Sequence, residues 1–201
     1  MLRHATTGRS AFSLLELLVV MVMLITLSVV FLGGGRKGAQ DRKLRQCEAN
    51  LQKIHIALTI YAGDHDGAFP HHPEATQPAA PLSALAPTYT SDTDIFICPG
   101  TNDDPLPAGK SFAKRNISYA YYMGWRQADS GESPILTDRQ ITDPNAAHIF
   151  SETGEGPGSN HYKYGGNVLL LNGATQRLKP ANSPPFNVSN KIKLLNPENS
   201  E

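Results

Sequence analysis

The stretch Phe12-Ser13-Leu14-Leu15-Glu16-Leu17-Leu18-Val19-Val20-Met21-Val22-Met23-Leu24-Ile25-Thr26-Leu27-Ser28-Val29-Val30-Phe31-Leu32 reads as one apolar run broken by a single carboxylate, Glu16. As a helix rising 1.5 Å per residue, its roughly 21 residues cover about 31 Å, enough to cross a bilayer core. An acidic side chain in hydrocarbon costs on the order of 2.5–3.5 kcal/mol at the centre and less near an end, so one kept there calls for a positive partner. The run therefore predicts a membrane span over residues 12–35 and makes Glu16 the first candidate functional residue.

The residues before the run suggest where that partner comes from. Residues 1–11 are short and polar, carry Arg3, His4 and Arg9, and hold no acid, as a leader does. A secretory signal places a small-residue cleavage site after a shorter apolar core, whereas here Ser10-Ala11 precedes the apolar run. A cut between Ala11 and Phe12 would leave the apolar helix on the mature protein with a new amine at Phe12. That amine is the expected partner of Glu16, in the same chain or, with better geometry, in an adjacent subunit.

At Ala11-Phe12-Ser13-Leu14-Leu15-Glu16-Leu17-Leu18-Val19-Val20 the chain resembles the processing site of type IV pilins and the related pseudopilins of type II secretion. The resemblance implies that a prepilin peptidase cuts before Phe12 and that the new terminus is methylated. It also implies that Glu16 aligns subunits as they assemble into a filament. The family usually carries Gly before the cut and this chain carries Ala11. Arg36, Lys37, Arg42, Lys43 and Arg45 follow the apolar run while only Arg3 and Arg9 precede it, which taken alone puts the C-terminal bulk in the cytoplasm. The leader reading puts the cut site there instead and sends the bulk outward, and it is preferred because Asp41 and Glu48 dilute the later charges.

The 201 residues carry 18 basic and 18 acidic side chains. Removing Arg3 and Arg9 with the leader leaves a formal charge of about −2, a balance that gives no reason to expect nucleic acid. Gly33-Gly34-Gly35 could end a helix, each glycine disfavouring it by about 1 kcal/mol against Ala. Beyond them Leu44, Cys47, Leu51, Ile54, Leu58 and Tyr61 recur at intervals of three and four, the stripe of an amphipathic helix. Residues 36–62 thus read as a stalk helix with a soft point at the glycines. Strands are expected at 94–98, 116–122, 147–151 and 167–171, the last joined to 174–178 by the hairpin signal Asn172-Gly173. The expected fold is α+β: a long N-terminal transmembrane and stalk helix packed on a small antiparallel sheet, with a head over 63–180 that the resemblance makes pilin-like. The tail, 181–201, should be irregular, with Ile192 to Leu195 docking.

Later segments extend the resemblance toward a secretion-type pilin subgroup: Cys47-Glu48-Ala49-Asn50-Leu51, Tyr61 to Pro70, Phe96-Ile97-Cys98-Pro99, and His161 followed by Gly165-Gly166-Asn167-Val168 and Asn172-Gly173. That group usually has Asp-Gly in the final turn, where this chain has Asn172. In an oxidising periplasm Cys47 and Cys98, the only cysteines, favour a disulfide between stalk and sheet. Two separate buried thiols are the other reading. Asp64, His65, Asp66, His71 and His72 could ligate calcium through oxygen or zinc or nickel through imidazole, but Asp64-His65-Asp66-Gly67 lacks a calcium loop's closing Glu, Ala75 standing there, so a polar helix-ending turn is expected and no metal is assigned. His161 reads as a loop or packing residue, and Tyr119, Tyr121, Tyr122 and Trp125 as sheet packing. Gly109-Lys110-Ser111 has Asp104 where a phosphate loop needs its first Gly, and no nucleophile elbow is present, so no enzyme and no cofactor are expected.

The expected function is a filament-forming subunit, foremost a type II secretion pseudopilin supporting protein export. The alternatives are a type IV pilus pilin for adhesion, motility or DNA uptake, and a single-pass membrane-anchored surface binding module. The resemblance implies as partners further copies and other pilin-like subunits, the prepilin peptidase and methyltransferase, and indirectly an assembly platform and ATPase. It places the chain in the inner membrane with its head in the periplasm, or outside the cell in a filament.

Overall fold

The computed structural model describes residues 13–32, 35–107, 110–113 and 115–198. The chain divides into two compact units between Ala39 and Gln40. In the first, α1 spans Leu14–Leu32. Ser13 starts it, accepting the Leu15 N–H on its Oγ at 3.3 Å while its carbonyl accepts the Leu17 N–H at 3.1 Å. Ser13 with Glu16 three residues on is the sequence pattern of a capping box, and an acid in the first turn complements the positive end of the helix dipole. Its 19 residues rise about 28 Å. Among the described residues no helix is long and apolar enough to cross a membrane. The single long helix expected from residue 12 through the stalk is thus not what is described: α1 and α2 (Arg36–Asp64) are separate elements, and Phe12, Gly33 and Gly34 lie outside the described residues.

From Gln40 on, α2 belongs to the second unit, and its stripe does what its spacing predicts. Leu44, Cys47, Leu51, Ile54 and Leu58 are each 1 % exposed or less, with Ala57 and Ala62 beside them. Fully burying one such aliphatic side chain is worth roughly 1.5–3 kcal/mol, so the stripe is the main reason this helix stays docked. The helix stops where Asp66 and Gly67 take positive φ, and the Gly67 N–H returns to the Ala62 carbonyl at 2.7 Å, satisfying a terminal acceptor.

The sheet has five antiparallel strands in the order β4-β3-β2-β1-β5, with β1 at Tyr119–Met123, β2 at Pro134–Asp138, β3 at Gly166–Leu170, β4 at Thr175–Leu178 and β5 at Lys193–Leu195. Every residue of β1, β2 and β3 is buried. Along β1 the alternation sends Tyr119, Tyr121 and Met123 into the main core with the α2 stripe, while Tyr122 meets Phe186 edge-on from the other face. A second core of Ile149, Phe150, Val168 and Leu170 fills that other face. A register shift between Pro134 and Leu136 accompanies the entry of both Ile135 and Leu136 into the main core.

Several expected strands are corrected. Residues 94–98 begin as a 3-10 turn, Thr93–Phe96, because Ile95 and Phe96 are both buried at adjacent positions and the Ile97 N–H returns to the Asp94 carbonyl. Residues 147–151 are irregular: the Ile149 carbonyl accepts from the Ile141 N–H and its N–H reaches the Ser183 carbonyl, both loop partners. The strand expected at 116–122 lies at 119–123, and β2 comes from a stretch not expected to be a strand. The tail expected as irregular supplies an edge strand, since Lys193–Leu195 pairs with β1.

Candidate functional site

Ala11 and Phe12, the expected processing pair, lie outside the described residues. Glu16 is exposed in the first turn of α1 and is that helix's one acid. Around it Leu14, Leu15, Leu17 and Leu18 are between 57 % and 86 % exposed, and the described apolar side chains that continue the helix stay open as well. A contiguous exposed apolar surface of this kind marks an interaction site.

The hairpin expected at Asn172-Gly173 is tied to α2 by several polar contacts. Gly173 has φ +84°, the conformation its turn requires, and Asn172 Oδ1 accepts the Ala174 N–H at 2.9 Å. His55 on α2 lies 3.0 Å from the Leu171 carbonyl through Nε2, Asn167 donates from Nδ2 to the Leu44 carbonyl at 2.9 Å, and Thr175 donates to Glu48 Oε1 at 2.9 Å. Asn172 thus serves its turn by a side-chain amide oxygen where the resembling subgroup has a carboxylate.

The two cysteines meet in the core. Cys47 on α2 and Cys98 after the 3-10 turn form a bridge with their Cα atoms 5.3 Å apart, closing a loop over a sequence separation of 51. Two residues join them: His161, which reads from the sequence as a loop or packing residue, and Asp138, which the sequence did not single out. His161 Nε2 lies 3.3 Å from Cys98 Sγ and 3.4 Å from Asp138 Oδ2, and the same carboxylate oxygen accepts the Asn167 N–H at 2.7 Å. All four are buried. They come from α2, a loop, the end of β2 and the loop before β3, so no local spacing announces the group.

A buried ion pair lies on nearby chain segments: Arg139 donates to Asp103 Oδ2 at 2.8 Å, and Ser118 donates to the same oxygen at 2.6 Å. Burial pushes the β1 phenols upward. Tyr119 is raised well above the ordinary tyrosine range by desolvation and then by the Asp138 charge, Tyr121 is raised by desolvation, and Tyr122 is pushed up to about 12 by burial despite its Gln140 hydrogen bond. In the histidine and acid run at the end of α2, the His65 ring stacks on Tyr61 at 3.8 Å with Nδ1 2.8 Å from the Tyr61 carbonyl, and the Asp66 backbone carbonyl accepts from Arg126 at 2.5 Å.

No family model matches the chain, and no solved structure matches it. Among curated proteins it is similar to the ComG operon protein 3 homolog of Bacillus licheniformis, with 32 % identity over 67 residues, 33 % of this chain and 69 % of that relative. An α+β head built on an amphipathic helix, an apolar helix opening on Ser13 and Glu16, and this likeness agree, and the chain belongs to the type IV pilin-like family.

Proposed function

We propose that this chain is a filament subunit, cut before Phe12 and methylated there, that assembles through its N-terminal apolar helix while its α+β head faces outward. The observation that carries this reading is α1 itself: nineteen residues, one acid, and apolar side chains left open in the single chain. Neighbouring copies cover those side chains in the filament, and lipid covers them before assembly. Glu16 is held in apolar surroundings by the freshly exposed amine of an adjacent protomer, so the ion pair sets register while apolar contact supplies the adhesion. In this reading the precursor sits in the inner membrane with its head in the periplasm. A cytoplasmic ATPase and a platform protein supply the work, and the subunit itself catalyses nothing.

The foremost system is type II secretion, supported by the Phe96-Ile97-Cys98-Pro99 and Gly165-Gly166-Asn167-Val168 segments. The second reading, a type IV pilus-like filament for adhesion, motility or DNA uptake, is favoured by the relative's being named for the ComG operon and not for a secretion system. Glu16→Ala should leave membrane insertion intact and reduce incorporation into filaments at least about tenfold in a crosslinking assay, the loss of one desolvated ion pair. Normal incorporation would defeat the pairing. Exoproteins trapped in the periplasm on gene deletion identify the secretion reading, and loss of long surface fibres identifies the pilus reading.

A further inference from the structure

One donor atom from each of Cys47, Cys98, Asp138 and His161 lies within 4.8 Å of the other three, and all four side chains are buried. A disulfide accounts for only two of them. It leaves a carboxylate and an imidazole shut in the core beside the sulfurs, with Asp138 Oδ1 and His161 Nδ1 lacking any hydrogen-bond partner. Burying such groups incompletely satisfied costs free energy that packing alone does not explain. Two sulfurs, one imidazole nitrogen and one carboxylate oxygen are the donor set of a tetrahedral zinc site.

We propose that, once the Cys47–Cys98 bridge is reduced, these four residues bind one Zn²⁺ ion, so that the same site exists in a disulfide form and a zinc-thiolate form. An external dithiol delivers two electrons and two protons to the bridge, the S–S bond breaks, and the reductant leaves as its own disulfide. Zn²⁺ then displaces both thiol protons to solvent as two zinc–sulfur bonds form, with His161 Nε2 and an Asp138 oxygen completing the shell. The edges of a zinc tetrahedron with such ligands are about 3.3–3.8 Å, so the widest donor pair closes by about 1 Å. Two thiolates and a carboxylate outweigh the ion by one negative charge. Backbone donors already face that excess: Asn167 N–H on Asp138 Oδ2 at 2.7 Å and Gly100 N–H on Cys98 Sγ at 3.4 Å, the outer contacts that orient metal ligands. Gly100 also lets its loop close beside the imidazole, since a Cβ there would stand 2.0 Å from the Asn160 carbonyl oxygen and 2.9 Å from His161 Nδ1.

The test uses the full-length chain in detergent micelles, reduced with a phosphine under inert gas, beside its oxidised form. Native mass spectrometry after desalting should find one zinc per reduced chain and none on the oxidised chain. Co²⁺ in place of zinc should give thiolate-to-metal charge transfer and the intense visible bands of a tetrahedral site. His161→Gln should weaken zinc binding at least about 100-fold, the upper end of what even outer-shell changes do. Should that variant fail to fold, X-ray absorption on the zinc-loaded wild type decides, with two sulfur and two nitrogen or oxygen neighbours expected. A reduced, folded chain that takes up no zinc overturns the proposal, as do an undiminished affinity in a folded His161→Gln variant and a shell without two sulfurs.

Discussion

Gly165 has φ +87° and ψ −153°, a region open in practice to glycine alone, and it turns the chain from the His161 loop into β3. A Cβ there would run into the Leu178 carbonyl on β4, which is backbone and cannot swing aside. Gly165→Ala should therefore destabilise the head by at least about 3 kcal/mol, read from the denaturant midpoint, where Gly156→Ala, with positive φ but open space around it, should lose less. The sequence flagged Gly165-Gly166 only through a resemblance, and the reason for the glycines is this approach of two backbones. His161 and Asp138 were less legible still. Each is one of many polar residues in the chain, and only the folding of four distant stretches onto one point makes them a group. The cysteines were readable because there are two of them; the residues around them were not.

At the scale of elements, the stalk helix and the hairpin were legible because their signals are local. The three-and-four spacing of Leu44 to Leu58 survives intact as the buried stripe, and Asn172-Gly173 makes the turn between β3 and β4. The errors fall where tertiary context overrides local pattern. No local signal singled out β2, which opens on Pro134, a position where a proline is tolerated because it is the strand's first residue; the Pro134 carbonyl accepts from Trp125 Nε1. Ile149 and Phe150 looked like a strand because they are apolar, and they are buried, but their backbone groups bond to loops. The α2 stripe packs into the main core together with the sheet. Leu51→Ala, at 0 % exposure, should cost 2–5 kcal/mol by cavity formation. Ile56→Ala, on the open face of the same helix at 60 % exposure, should stay within about 0.5 kcal/mol in the isolated chain. Urea titration of both variants measures the difference.

For the whole molecule, the buried β1 tyrosines set an alkaline limit. Their folded pKa values are raised above the ordinary tyrosine value of about 10, so the unfolded chain releases these protons first and binds fewer of them than the native state at high pH. Their contribution is fully present below about pH 10 and is lost as pH rises toward and past 12, the value near which Tyr122 titrates. The urea midpoint should hold steady up to about pH 9 and fall by about pH 11, with tyrosinate absorbance appearing together with the loss of native circular dichroism. A midpoint unchanged across that range would mean that these phenols ionise without unfolding.

The proposed assembly of the whole molecule rests on α1, an apolar helix with one carboxylate that, in this proposal, a new cation on a neighbouring protomer neutralises. Mass spectrometry of the N-terminus of protein taken from native membranes or filaments tests this most directly. The expected chain begins at Phe12 and carries a methyl group on its amine. A native chain that retains residues 1–11 and stays monomeric in its bilayer would contradict it.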